Sequence, residues 1–113
     1  MIEGLPDHAP VIVNLINPRE KVWGVLVAMS NVGVTLRGIN LDTFDDWIRQ
    51  VARGGEEQTV DLVTMFVPLF RVERLFLDEP VGSVPSYSDY FEQVVGMPLR
   101  QYLRLPDEAG VKR

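Results

Sequence analysis

The sequence predicts a mainly β chain with added helices. The expected form is a small, five-stranded, strongly bent antiparallel barrel, with one helix inserted near residues 43–53 and a C-terminal helix near 88–95. Three observations carry that expectation. The runs Val11-Ile-Val-Asn-Leu-Ile16 and Val22 to Gly38, and a later one from Thr59 to Leu77, are rich in β-branched and apolar residues and are broken by turn residues. Gly24, Gly33 and Gly38 fall inside these runs, where glycine marks a bend, a bulge or a close backbone approach. The polar interruption between the second and third runs has helical periodicity.

Residues 1–10 read as an arm, because Pro6 and Pro10 prevent regular structure there. Val11 to Ile16 is the first strand. Asn17-Pro18-Arg19-Glu20 is a turn, with Asn suited to its first position and Pro to its second. Lys21 to Met29 is the second strand. Val22, Gly24, Leu26 and Ala28 share one face, and Trp23, Val25, Val27 and Met29 share the other. Both faces are apolar, so this strand is covered on both sides. Ser30-Asn31 turns into a third strand, Val32 to Ile39.

Asp42-Thr43 offers an N-cap, with Asp45 and Asp46 in the first turn, where the helix dipole favours anions. Phe44, Trp47, Ile48 and Val51 then recur at helical spacing, and Gly54-Gly55 ends the helix. Its apolar stripe reads as core. Glu56-Glu57-Gln58 is a solvated connection. The β-rich stretch from Thr59 is divided by Pro68, which cannot donate to a ladder, into two strands ending near Leu77. Val81 to Ser86 is a linker. Ser88 is placed to cap a helix with apolar Tyr90, Phe91, Val94 and Val95; Gly96 ends it, and Pro98 starts a further turn through Leu99, Tyr102 and Leu103. The expected organisation is an arm (1–10), a β domain with its inserted helix (11–78), and a C-terminal helical extension and tail (79–113).

Composition narrows the function classes. A chain of 113 residues suffices for one domain with one modest core, and 46% hydrophobic residues fit a folded globule. A net charge of -5 opposes non-specific binding to nucleic acid or anionic membrane. There is no cysteine, so disulfides, thiol nucleophiles and thiolate metal sites are excluded, which suits a reducing compartment. The opening residues lack a basic start and an apolar run, and no apolar stretch reaches the roughly 20 residues of a membrane span. A cytoplasmic protein with no membrane association is expected.

No motif for catalysis, metal or cofactor stands out. His8 is alone in a Pro-rich arm, without spaced carboxylates to complete a metal site. Asp42, Asp45, Asp46, Glu56, Glu57 and Asp61 read as capping and solvated charge. Ser30, Ser83, Ser86 and Ser88 have no nucleophile-elbow context and no partner histidine. Arg71 and Arg74, interleaved with Phe70 and Phe76, could make an aromatic and basic surface for single-stranded nucleic acid, although the same alternation describes a half-buried strand.

The pattern Val11-x-Val13-x-Leu15, then Trp23-Gly24-x-Leu26, Met29-Ser30-Asn31-Val32 and Leu36, with Met65-Phe66-Val67, Val72 and Leu75-Phe76, resembles the Sm-like superfamily that includes the bacterial Hfq proteins. The resemblance covers residues 11–78 and implies an Sm-like barrel that self-associates through its strand edges. Its RNA-contacting positions fall on Gly33, Val34, Leu69 and Phe70, with Ser30 at a turn that usually holds Asp, so RNA binding is not carried over with the fold. Two function classes follow. The first is a non-catalytic barrel acting as an oligomeric assembly or protein-interaction module, with Met65, Phe66, Val67, Phe70, Leu75 and Phe76 as the expected interface. The second is an Hfq-like RNA-binding regulator, with Ser30, Asn31, Phe70, Arg71 and Arg74 as contacts to RNA or to a protein partner. Neither needs a metal or a cofactor, and neither is an enzyme.

Overall fold

The computed structural model describes residues 5–54 and 58–105. Five strands, β1 (Pro10–Leu15), β2 (Glu20–Met29), β3 (Gly33–Asn40), β4 (Val63–Pro68) and β5 (Val72–Leu77), form a single antiparallel sheet in the order β4-β3-β2-β1-β5. The expected mainly β architecture is present. β4 and β5 lie at opposite edges and do not pair with each other, so the sheet is not closed. Among the described residues there are also three α-helices: α1 (Phe44–Arg53), α2 (Tyr87–Val95) and α3 (Leu99–Leu103).

The sheet buries both faces, which gives two cores rather than the one expected. One face presents Val11, Val13, Leu15, Val22, Leu26, Val34, Leu36 and Val67, and the buried residues of this cluster come from strands and from Ala9 alone. That face is therefore covered by the sheet itself and not by a helix. The alternate positions, Ile12, Trp23, Val25 and Ile39, face the helices and pack with Phe44, Trp47, Ile48, Phe91 and Leu99. Period-2 alternation sends successive residues to opposite cores, as the two apolar faces of β2 predict. The alternation slips where β2 bulges between Leu26 and Ala28. Met29 reaches the strand-only core, and Val27 is left exposed, contrary to a regular face assignment.

Close backbone approach requires glycine where β2 and β3 cross-pair. Gly24 and Gly38 are cross-strand partners on β2 and β3, and a Cβ on Gly24 would lie 2.9 Å from both the Arg37 carbonyl oxygen and the Gly38 Cα. The arm ends earlier than expected. Ala9 is buried, and its carbonyl accepts from the Leu26 N–H at 2.8 Å, extending the β1–β2 pairing. A turn joins β1 to β2 as expected, over residues 16–19, with the Asn17-Pro18 peptide cis and Asn17 at φ 56°.

The inserted helix forms where its periodicity predicts, and its Phe44/Trp47/Ile48 stripe is core. Its entry differs: Asn40, not Asp42 or Thr43, supplies the side-chain cap, accepting from the Asp42 N–H at 3.0 Å ahead of a 3-10 turn over Leu41–Thr43. Gly54 ends the helix with φ 63°; Gly55, Glu56 and Glu57 lie outside the described residues. The fourth strand starts at Val63 rather than Thr59. Gln50 of α1 explains this: its Oε1 accepts from the N–H groups of Thr59 and Val60 at 2.8 and 3.1 Å, so these donors serve the helix and not a ladder. Pro68 is the last residue of β4, and a 3-10 turn, Leu69–Arg71, separates it from β5.

The C-terminal helix is capped by Ser86, whose side chain accepts from the Asp89 N–H at 3.0 Å; Ser88 is not the cap. Ser88 is instead drawn to Asp78, just beyond β5. Asp78 Oδ2 accepts from Ser88 Oγ at 2.8 Å, from the Ser88 N–H at 2.9 Å and from Trp23 Nε1 at 3.0 Å, while Oδ1 accepts from the Tyr87 N–H at 2.8 Å. One carboxylate thus joins the end of β5, the middle of β2 and the start of α2. The helix then lays Phe91 on Trp47, with ring centroids 5.2 Å apart, and Tyr102 of α3 joins the same aromatic cluster.

Candidate interaction surface

Among the described residues no strand pairs with the outer side of β4 or of β5, the two edges of the sheet, and an edge strand presents a row of backbone donors and acceptors. The residues expected to form the oligomer interface divide by face along these edges. Val67 belongs to the strand-only core at 5% exposure, with Met65 and Leu75 packed against it. Phe66 and Phe76, on the opposite face, are 54% and 43% exposed, and Phe70 in the 3-10 turn is 82% exposed. The alternation of Met65/Val67 against Phe66 in the sequence separates the two faces of the strand without saying which one is buried.

Each edge carries its own apolar patch. At the β4 end, the ring of Phe66 lies over Gly33, which has no side chain to displace it, and the Leu69 N–H donates to the Val32 carbonyl at 2.9 Å. Val32, Phe66, Leu69 and Phe70 are all exposed there. At the β5 end, Phe76 and Leu77 are exposed, as are Val81 and Val84 of the connection into α2 and Tyr87 at its start. The C-terminal helix covers neither Phe66 nor Phe76, because Phe91 is committed to Trp47.

The residues expected to contact RNA or a partner are also sorted by the fold. Ser30, Asn31 and Arg74 line one cleft of about 430 Å³, together with Met29, Leu69 and Glu73. Ser30 shapes its own turn, its Oγ accepting from the Val32 N–H at 3.2 Å. Arg71 is a brace between turns: Nε donates to the Ile16 carbonyl at 3.0 Å, and Nη2 to the Pro18 carbonyl at 2.8 Å and to Glu20 at 3.1 Å. Its guanidinium is spent inside the chain. Phe70 projects beside it into solvent.

Two polar groups escaped sequence reading. Asp78 looked like the end of a strand, and nothing local shows that it gathers four donors. Asn14 has a buried Oδ1 with no hydrogen-bond partner. Its neighbours are fixed by register alone, Lys21 on one side and Arg74 on the other. Among the described residues, no group of three or more histidine or carboxylate side chains is placed to hold a metal ion, and no helix is long and apolar enough to cross a membrane.

These features define a class, a mainly β protein whose open antiparallel sheet exposes aromatic residues beside both edges. Compared with known proteins, the chain matches no family model, no curated protein and no solved structure.

Proposed function

We propose that this chain is a non-catalytic, Sm-like small barrel acting as an oligomeric assembly or protein-interaction module. The observation that carries the reading is the pair of free edges, each flanked by exposed aromatic side chains. Unpaired edges template further pairing, and adding a strand there satisfies the backbone while covering Phe66 or Phe76. The two edges belong to different strands, so contact between copies joins β4 of one to β5 of the next. Such head-to-tail contacts repeat until they close into a ring. The Sm-like reading draws on five antiparallel strands, the short 3-10 turn between β4 and β5, and a sheet face buried by its own strands.

Light scattering across a concentration series tests the proposal. The expected result is a mass several times 12.8 kDa, lowered by Phe66→Glu or Phe76→Glu without loss of far-UV circular dichroism. A strictly monomeric mass at about 100 µM, well above a typical micromolar dissociation constant, overturns it.

The second reading, an Hfq-like RNA-binding regulator, draws on the cleft that unites Ser30, Asn31 and Arg74 beside exposed Phe70. It meets a net charge of -5 and an Arg71 already engaged within the chain. Weak or absent binding to A- or U-rich oligonucleotides is therefore expected. Sub-micromolar binding at physiological salt, falling steeply as salt rises, promotes this reading over the first.

A further inference from the structure

The hydrogen bonds at the two sheet edges fix which residues turn their backbone outward. The Leu69 N–H donates to the Val32 carbonyl at 2.9 Å, and the β3–β4 register continues through Val34↔Val67 and Leu36↔Met65. Successive antiparallel pairs alternate between exchanging hydrogen bonds and turning them away. Val67 and Met65 therefore spend their backbone groups on β3, and Thr64 and Phe66 turn theirs outward. Pro68 shares that outward parity but has no N–H to give. At the other edge the Asp78 N–H donates to the Pro10 carbonyl at 3.0 Å, followed in register by Ile12↔Phe76 and Asn14↔Arg74. The outward residues of β5 are thus Glu73, Leu75 and Leu77.

Backbone direction sets the side-chain face. In an antiparallel ladder, residues directly opposite each other carry their side chains on one face. Phe66 of a second copy, added antiparallel to β5, stands opposite one of its outward residues. Leu75 packs on the strand-only core, and Leu77 pairs with Val11 of that core. The Phe66 ring of the second copy therefore arrives on the strand-only-core side of β5, although on its own chain it lies on the helix-facing side. The two sheets curl in opposite senses across such a joint, so each core stays with its own strands.

That side of β5 holds the cleft of about 430 Å³, lined by Met29, Val34, Leu69, Val72 and Leu75 among others. Met29, Val34, Val72 and Leu75 also belong to the strand-only core, so the cleft is a mouth into it. Glu73 and Arg74, which also line the cleft, are one anion and one cation and leave no net charge between them. β4 carries no charged residue to oppose them. With Phe66 opposite Leu75, the outward N–H groups of Thr64 and Phe66 meet Leu77 and Leu75, and Phe76 stands opposite Met65 of the second copy. Other edge pairings do not fill the mouth. β5 against β5 brings no aromatic ring to this face, since Phe76 lies on the other, and β4 against β4 leaves the cleft uncovered.

We propose that Phe66 of one copy plugs the strand-only core of the next, entering the cleft between Met29 and Leu75. The inference rests on the assembly reading and gives it a direction: β4 carries the plug and β5 the socket. The plug is the ring that is 54% exposed on the isolated chain.

The test is an interchain NOE measurement on the full chain at about 100 µM. Copies labelled only at methionine and leucine methyls are mixed with unlabelled copies. Cross-peaks are expected from the Phe66 ring of the unlabelled copies to the Met29 and Leu75 methyls of the labelled ones. They should vanish when the unlabelled copies carry Phe66→Leu. In dilution light scattering, Phe66→Ala should weaken assembly by about tenfold or more. Asn31→Trp, which crowds the mouth from an exposed turn and alters neither edge, should do the same. Val63→Ala, exposed on the same edge strand, should change it by less than about twofold. An oligomer that lacks these cross-peaks, or that tolerates Asn31→Trp, overturns the plug and leaves the assembly reading standing. Contacts from Phe66 to Phe76 instead indicate a parallel joint and also overturn the plug. A monomeric mass overturns plug and assembly together, as does an A- or U-rich oligonucleotide that shifts Met29 and Asn31 in a chain that stays monomeric.

Discussion

Asp78→Ala removes one carboxylate and strands four donors. Three belong to the first residues of α2, Tyr87 and Ser88, and the fourth is the indole N–H of Trp23 on β2. A hydrogen bond to a charged acceptor contributes about 1.5–3 kcal/mol where the donor cannot turn to water. That condition holds best for Trp23, which is fully buried. The Tyr87 N–H is exposed and regains a water, and the Ser88 donors are partly buried, so they add less than their number suggests. Removing an anion beside a helix N-terminus adds a further ~0.5 kcal/mol. The expected total is about 3 kcal/mol. With an m-value of about 1.5 kcal/mol/M, that moves the urea midpoint down by about 2 M. Circular dichroism is the readout, because tryptophan fluorescence reports on the perturbed residue itself. A double-mutant cycle with Trp23→Phe should show a coupling of about 1 kcal/mol. A midpoint shift below about 0.5 M, or a coupling near zero, refutes the reasoning and leaves aromatic packing alone to hold α2 in place.

Two further substitutions test the cores. Leu26→Ala should cost about 2–5 kcal/mol in urea unfolding, because Leu26 is 6% exposed in a core made only of strands, with no helix to move into the cavity. Gly38→Ala should cost about 1–3 kcal/mol, because the added methyl meets the Trp23 carbonyl and the Gly24 Cα, both backbone atoms that move only if the β2–β3 pairing opens; an unchanged midpoint would show that the strands slide apart freely.

The features legible in the sequence are those set by local spacing. Phe44, Trp47, Ile48 and Val51 place the inserted helix, Pro68 ends a strand, and the doubly apolar β2 forecasts two covered faces. The missed features depend on distant partners. Ser88 looks like a cap as good as Ser86 until Asp78, ten positions earlier, takes its hydroxyl. Thr59 and Val60 look like strand until Gln50 takes their N–H groups. The row Lys21–Asn14–Arg74 exists only because β5 pairs with β1 in one register, with an irregularity after Asn14. No window of sequence contains that fact. The edges were half legible: the apolar excess from Met65 to Phe76 was plain, but its division between core and solvent required knowing which face the helices cover.

That division also explains why the aromatic edge residues stay exposed. Among the described residues, α2 is an element whose apolar side could have covered them. It is fixed elsewhere by two independent attachments, the Asp78 carboxylate at its start and the Trp47–Phe91 contact along its length. α1 is fixed in turn by Trp23 packing against Phe44 and Trp47, with centroids 5.2 and 5.8 Å away. The helical layer is thus anchored over β1, β2 and β3 and cannot reach Phe66 without giving up its own core. A buried aromatic cluster at the centre of the sheet and bare aromatics at its edges are one arrangement. Loosening α2 through Asp78→Ala should therefore lower stability without hiding the edges. If the edges carry assembly, the oligomeric mass of that variant should persist up to the onset of unfolding.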